Sequence, residues 1–290
     1  MDRQDRLDAL DREMASRPLP GTALTALAHW WDERPRTPSD PNTRPHDRHA
    51  VGYTPGHWDR ITPWPSHLAP PSQAGDAEVN RAQVTSAVAD ALRREAFTEA
   101  LVATYVWGKG KSGTPGGSGP ATLRKILTAE GIDASLSAAV TALADRGPKA
   151  AYAVLHRKVP GWGPSFYTKF LYFAGRAQPL AGSPDPQPLI LDRVLSLRLR
   201  SFAVEAGRAS GIDPDGSAAA WAWSGWGWSP HRYGVYLSFM QAASRQLAAT
   251  GSWPSDAAPD LLEYALFSRA WMIGSKDAPE ADTESAPVRG

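Results

Sequence analysis

Apolar residues recur at intervals of three and four along most of the chain, the spacing that places them on one face of an α-helix. The longest such segment runs from residue 80 to 106. Its apolar stripe consists of Val84, Val88, Ala91, Leu92, Leu101, Val102 and Tyr105. The same spacing predicts further helices over residues 21–34, 121–130, 135–146, 148–158, 192–205, 233–247 and 260–271. Because alternating strand patterns are almost absent, we expect an all-α fold.

Two segments lack this periodicity. Residues 35–71 are rich in Pro, Asp, Arg and His, so they either wrap the surface of a domain or form a mobile arm. Their aromatic residues favour packing over disorder. Residues 274–290 are small, polar and acidic, which predicts disorder. We therefore expect an N-terminal arm and wrapping segment over 1–79, a helical domain over 80–273 and a disordered tail.

A glycine-rich turn separates two of the predicted helices. Val-Pro-Gly-Trp-Gly occupies residues 159–163, and Pro164 follows in the position that suits the first turn of a helix. The backbone amides of Gly161 and Gly163, together with the start of the second helix, could hold a phosphate oxygen. Many helical proteins use such a turn only as a connector, so by itself it indicates either role.

An acidic residue opens a helix further along the chain. The apolar run at residues 188–191 ends at Asp192, and an amphipathic helix follows. Asp is a preferred N-cap residue, which makes capping the simpler explanation for Asp192 alone. A cap also directs its carboxylate outward from the helix end. The apolar neighbours would hold that carboxylate in a partly desolvated site, where charge interactions are stronger.

Composition excludes several classes of protein. The 290 residues include no cysteine, which rules out a disulfide framework, a thiolate metal site and an iron–sulfur cluster. No apolar run approaches the ~20 residues of a membrane span. The charged N-terminus lacks the apolar core of a signal peptide, so we expect a cytoplasmic protein.

The positive charges are concentrated around the glycine-rich turn. Residues 107–208 contain 14 Lys and Arg against 6 Asp and Glu, a balance of +8, whereas the whole chain carries +1. Phosphate contact requires such a concentration of cations, although a solvated helical surface could look similar.

The turn followed by Asp192 resembles the helix-hairpin-helix DNA glycosylases, and weaker similarity on both sides favours their 8-oxoguanine-glycosylase-like bacterial branch. The specific similarity covers residues 151–202. It implies a two-lobed, all-α fold with a long irregular N-terminal segment, acting as a monomer on double-stranded DNA. It implies no metal and no cofactor, except that the hairpin could hold a monovalent cation. The resemblance and the basic residues together predict DNA contacts at Pro160, Gly161, Trp162, Gly163, Lys109, Lys111 and Arg193. The loop that carries Lys109 and Lys111 could equally be a simple connector.

The resemblance also assigns the chemistry. It places Asp192 against the sugar of a flipped-out nucleotide, where a carboxylate stabilises positive charge in the transition state. Bifunctional members carry a nucleophilic lysine two residues after the second glycine, but this chain has Ser165 there. Monofunctional adenine glycosylases have a serine at that position, which favours water as nucleophile and an abasic site as product. Lys169 shares a helix face with Ser165, so it is either a displaced nucleophile or a phosphate-contacting or surface lysine.

The base would be held by aromatic stacking and a few polar contacts. We predict these contacts from Trp107, Trp226, Trp228 and His231. The resemblance leaves two substrate classes, oxidised guanine and modified phage bases such as glucosylated hydroxymethylcytosine. The missing lysine and the enlarged Gly- and Pro-rich loops favour the second class and hence a role in anti-phage defence. The competing hypotheses are a non-catalytic DNA-binding module and a helical protein-interaction domain.

Overall fold

The computed structural model describes residues 3–16, 19–34, 45–111, 118–178, 187–254, 258–268 and 270–271. Within these ranges the chain forms twelve α-helices and one two-stranded sheet, which confirms the predicted all-α class. The helices are α1 (Arg3–Ser16), α2 (Gly21–Asp32), α3 (Arg81–Arg93), α4 (Phe97–Lys109), α5 (Ser118–Leu127), α6 (Ile132–Arg146), α7 (Pro148–Leu155), α8 (Pro164–Ala177), α9 (Arg193–Ser210), α10 (Ser217–Ala222), α11 (Pro230–Ala249) and α12 (Pro259–Phe267). The strands are β1 (Ala50–Tyr53) and β2 (Ala77–Asn80).

The single helix predicted over residues 80–106 is in fact two helices. α3 ends at Arg93 and α4 begins at Phe97. Glu95, between them, has a φ of 55°, in the left-handed region that typically ends a helix. The Ala96 N–H then donates to the carbonyl of Ala91 over 2.8 Å, which satisfies one of the free carbonyls of the last turn. The apolar stripe continues through both helices into one core.

The helices pack into one continuous hydrophobic core. α8 lies against α3, α4, α6 and α7, and its buried face includes Phe170 and Phe173. α1 packs on α9, α10 and α11, and α12 packs on α9 and α11. No single described helix is long and apolar enough to span a membrane, and only one pair, bent by 86°, meets that test by length and composition. The proposed division at residues 79 and 273 remains a prediction, and the predicted disordered tail lies outside the described residues.

The irregular N-terminal segment packs onto the domain in its described part. β1 and β2 are antiparallel, with Ala50 opposite Asn80 and Tyr53 opposite Ala77. Tyr53 and Trp58 are buried, as their apolar side chains predicted. Asn80 caps α3 through a capping box with Gln83. β2 therefore leads directly into α3.

Candidate functional site

The glycine-rich turn joins α7 to α8 as a tight helical hairpin. Gly161 has a φ of 79°, a conformation that favours glycine. Gly163 is the N-cap of α8, and its carbonyl accepts the N–H of Phe166 and of Tyr167. Pro160, Gly161 and Gly163 are exposed, whereas the indole of Trp162 is only 3% exposed and packs edge-on against Tyr167 and Phe170. The hairpin thus offers its backbone at the surface, with Trp162 bracing it from inside.

A buried extended segment leads from α8 to α9. An extended chain without a partner strand must satisfy its backbone groups by other means. Here side chains of α11 and α12 do so. Tyr233 Oη donates to the Leu189 carbonyl (2.9 Å), Ile190 N–H donates to Glu263 Oε2 (2.9 Å), and Tyr236 Oη donates to the Ile190 carbonyl (2.6 Å). These bonds hold the residues just before Asp192 in one place.

Asp192 is the N-cap of α9, as predicted. Its Oδ1 accepts the N–H of Leu195 over 3.0 Å, and its carbonyl accepts the N–H of Ser196. Capping needs only one carboxylate oxygen. Asp192 also lines a cavity, so its second carboxylate oxygen can act on a ligand there.

Lys169 lies on α8 with its side chain buried, only 8% of the residue being exposed. Its Nζ donates to the carbonyl of Ser165 over 2.6 Å. Gly108 of α4 makes room for the aliphatic stem, because a Cβ at Gly108 would lie 2.6 Å from Lys169 Cδ. Surface snorkelling, one of the alternatives that the sequence left open, does not fit this burial.

Burial lowers the pKa of the Lys169 amine below its ordinary value, and the positive charge of Arg81 acts in the same direction. The carboxylates of Asp192 and Glu263 oppose the shift. An amine with a lowered pKa is more often neutral at physiological pH, and the neutral amine is the nucleophilic form.

Lys169 and Asp192 line the same cavity, which has a volume of about 180 Å³. Its wall consists of His49, Val51, Arg81, Trp107, Gly108, Lys109, Lys169, Ile190, Asp192, Leu195, Glu263 and Phe267. The Ser165 carbonyl accepts a hydrogen bond from Lys169, but Ser165 is not among the described residues that line the cavity. Three larger cavities among the described residues, of about 360, 410 and 350 Å³, lie beside α1 and hold neither Lys169 nor Asp192. We therefore place the candidate site in the smaller cavity.

An ion pair forms part of the wall. Arg81 Nη2 lies 2.9 Å from Glu263 Oε1, and both side chains are almost completely buried. Sequence reasoning missed Arg81, Glu263 and His49. A glutamate between the apolar residues of the last helix was the one available signal, since a buried charge requires a partner.

The remaining predicted residues occupy different places. Trp107 and Lys109 line the cavity, while Trp228 is buried and donates to Ser196 Oγ (3.0 Å) and to the Ser224 carbonyl (2.8 Å). Trp226 is 80% exposed. His231 lies 3.3 Å from Asp11 and lines one of the cavities beside α1.

The other two predicted phosphate contacts are exposed. Lys111 forms an ion pair with Asp76, the residue directly before β2. Arg193 begins α9 directly after Asp192, and its side chain lies against Gly225, where an added Cβ would be 3.4 Å from Arg193 Cγ. Their contact with DNA remains a prediction.

A family model described as "Putative 8-oxoguanine DNA glycosylase OGG-like protein" matches residues 44–267, well over half of the chain. A comparison with curated proteins and one with solved structures found no match. The matched region includes the hairpin, Lys169, Asp192 and the whole wall of the cavity, and it confirms the resemblance inferred from the hairpin and the aspartate. The chain belongs to the OGG-like 8-oxoguanine DNA glycosylase family.

Proposed function

We propose that this chain removes a modified base from double-stranded DNA, with Asp192 and Lys169 as the reacting groups. The observation that carries the proposal is the position of a buried lysine amine and a carboxylate in one cavity, with the lysine on the second helix of the hairpin. A base flipped out of the duplex would enter this cavity while the hairpin backbone holds a phosphate of the same strand.

The two groups divide the chemistry between them. Asp192 stabilises the positive charge that develops on the sugar as the glycosidic bond weakens. The neutral amine of Lys169 attacks C1′, so that a C–N bond to the lysine forms as the bond to the base breaks. The electron pair leaves with the base, which takes up a proton. After the amine loses a proton and the sugar ring opens, a Schiff base links the protein to DNA.

Water is the competing nucleophile. Ser165 at the usual lysine position predicts hydrolysis, with Asp192 orienting the water and an abasic site as product. The geometry favours Lys169, because its amine is buried in the same cavity as Asp192 and its pKa is lowered. The choice is decided by whether a covalent adduct forms.

Oxidised guanine is the substrate that we propose first. The family description names 8-oxoguanine. The cavity of about 180 Å³ is below the 300–1,000 Å³ typical of sites for drug-sized ligands, so its size suits a base alone better than a base that carries a sugar. The sugar of a glucosylated hydroxymethylcytosine would have to remain outside. Activity on phage DNA, and hence defence, is the second substrate hypothesis.

The test is base release from two duplexes, one carrying 8-oxoguanine and one carrying glucosylated hydroxymethylcytosine. Each reaction is divided between borohydride trapping and an abasic-site assay. We expect a trapped adduct with 8-oxoguanine, which disappears in Lys169→Gln. Abasic sites without an adduct would instead establish hydrolysis.

Asp192→Asn separates catalysis from binding, because Asn is also a good N-cap and should preserve α9. We expect this variant to bind DNA with unchanged affinity and to lose base release. Release that persists in Asp192→Asn would refute the role of the carboxylate. DNA binding without release from either duplex would favour the non-catalytic module.

A further inference from the structure

Two buried polar atoms in the cavity wall lack a hydrogen-bond partner within the part of the chain that the structure describes. They are Nδ1 of His49 and Nε of Arg81. A buried donor or acceptor that is left unpaired destabilises a protein, and such groups are uncommon in native proteins. Both residues line the cavity that holds Lys169 and Asp192.

The sheet brings the two residues together. His49 precedes β1 and Arg81 follows β2, and the Arg81 N–H donates to the His49 carbonyl over 3.2 Å. The same carbonyl accepts Nε1 of Trp107 over 3.4 Å. The backbone of both residues is therefore held at the cavity by the end of the sheet.

The guanidinium of Arg81 cannot easily turn away from the cavity. Its Nη2 donates to Glu263 Oε1 (2.9 Å) and its Nη1 donates to Tyr172 Oη (3.1 Å). Burial opposes the charge of Arg81, but Glu263 and Tyr172 outweigh it and raise the pKa of the guanidinium. The remaining Nε–H is thus a fixed, charged donor, and charge-assisted hydrogen bonds are the stronger ones.

The imidazole of His49 is held in place by aromatic rings. Its centroid lies 5.4 Å from that of Trp107, 5.2 Å from that of Tyr264 and 5.8 Å from that of Phe267. Burial, together with the charge of Arg81, lowers the pKa of His49 to about 4, so the ring is neutral at physiological pH. A neutral imidazole has one nitrogen that accepts a hydrogen bond.

We propose that His49 and Arg81 read the edge of the extruded base. Arg81 Nε–H donates to a ring carbonyl, and His49 Nδ1 accepts the N–H beside that carbonyl. Trp107 and Phe267 supply aromatic surface in the same wall. The inference rests on the proposed function in one respect, which is that the base occupies this cavity. It makes His49 a specificity-determining residue that selects bases with an adjacent carbonyl and N–H.

The test is a binding comparison that does not depend on catalysis. In an Asp192→Asn background, the affinity for a duplex with 8-oxoguanine is compared with that for the same duplex carrying a tetrahydrofuran abasic analogue. We expect His49→Phe, which keeps a ring for packing, to reduce the preference for the base at least roughly tenfold. Affinity for the abasic analogue should not change. His49→Asn, which keeps a polar group near Nδ1, should retain part of the preference.

An unchanged preference in His49→Phe would overturn the inference. An equal loss of affinity for both duplexes would also overturn it, because it would indicate that His49 acts through packing. Absence of any preference before substitution would overturn it as well. If His49→Phe does not fold, methylation of N7 or N1 of the base supplies the test from the DNA side, since blocking the recognised N–H must abolish the preference.

Base release by the unsubstituted chain, measured on the same duplex, separates the two proposals. If the chain releases the base but His49→Phe leaves the binding preference unchanged, the glycosylase proposal stands and base recognition by His49 is refuted. If the binding preference depends on His49 but no base is released, base recognition by His49 stands and the catalytic roles of Lys169 and Asp192 are refuted.

Discussion

Lys169 is a titratable group whose charge is unfavourable where it lies. An unperturbed lysine has a pKa of about 10.4, and burial lowers the pKa of Lys169 from its ordinary value. Because the reactive form is the neutral amine, the rate of adduct formation should rise with pH and reach its plateau below the pH at which an ordinary lysine loses its proton. Single-turnover borohydride trapping across a pH series measures this. A rate that still rises at and above the ordinary lysine pKa would contradict the assignment.

Gly108 determines whether the amine of Lys169 can reach its position. A Cβ there would lie 2.6 Å from Cδ and 3.1 Å from Cε of Lys169. Gly108→Ala should therefore slow adduct formation by at least about tenfold, because displacements near 1 Å have effects of that order or larger. Stability should change little, since Ala gains up to ~1 kcal/mol of helix propensity against the clash.

Gly21→Ala is the matched control for Gly108→Ala, because an added Cβ at Gly21 meets nothing within 4 Å. Comparison of trapping rates and urea unfolding for the two variants isolates the contact with Lys169. Equal trapping rates would show that Gly108 is not needed for the chemistry.

Residue identities alone predicted only part of the site. Asp192 was recognised because an N-cap and the apolar run before it are local signals. His49 and Arg81 gave no such signal. Glu263 lies among apolar residues, but its partner could not be identified, since Arg81 and Glu263 are 182 positions apart and only the tertiary fold pairs them. Lys169 was identified as a candidate, but its burial depends on Gly108, which belongs to a different helix.

At the scale of elements, the extended segment before α9 determines where Asp192 lies. Thr168 Oγ1 accepts the N–H of Leu191 over 3.2 Å, one residue before the carboxylate and one residue from Lys169 along α8. Thr168→Val leaves that buried N–H unpaired, so we expect a loss of roughly 1–3 kcal/mol in the free energy of unfolding. Base release should also decrease, because Asp192 loses part of its support. Chemical unfolding and single-turnover release measure the two effects.

Thr85→Val is the control for Thr168→Val. Thr85 Oγ1 donates only to the Arg81 carbonyl of its own helix, so its removal leaves no N–H unpaired. If the two threonine variants behave alike, the extended segment does not depend on Thr168.

The element boundaries show the same limit of sequence reasoning. The hairpin and its flanking helices were predicted because Gly161, Gly163 and Pro164 determine backbone geometry locally. The interruption between α3 and α4 was not predicted, because Glu95 is not a residue type that normally marks a left-handed position. The strands were missed because each has only four residues.

At the scale of the whole molecule, the uneven charge predicts how binding depends on salt. Residues 107–208 carry +8 in a chain of net +1. If the cations near the cavity contact phosphates, Lys109→Gln and Arg193→Gln should each reduce the slope of log affinity against log salt concentration by about 1. Titration of duplex DNA at several salt concentrations measures the slope. Arg245→Gln, on the exposed face of α11, is the control and should leave it unchanged.

The close approach of Gly108 to Lys169 also has an evolutionary consequence. A relative that keeps a lysine at the position of Lys169 is constrained to glycine at the position of Gly108, because a side chain at that position would meet the lysine stem. A relative that has lost the lysine is free of that constraint and can accumulate alanine or larger residues. The two positions should therefore vary together, and reading them as a pair would separate members of the family that can use this lysine as nucleophile from those that cannot.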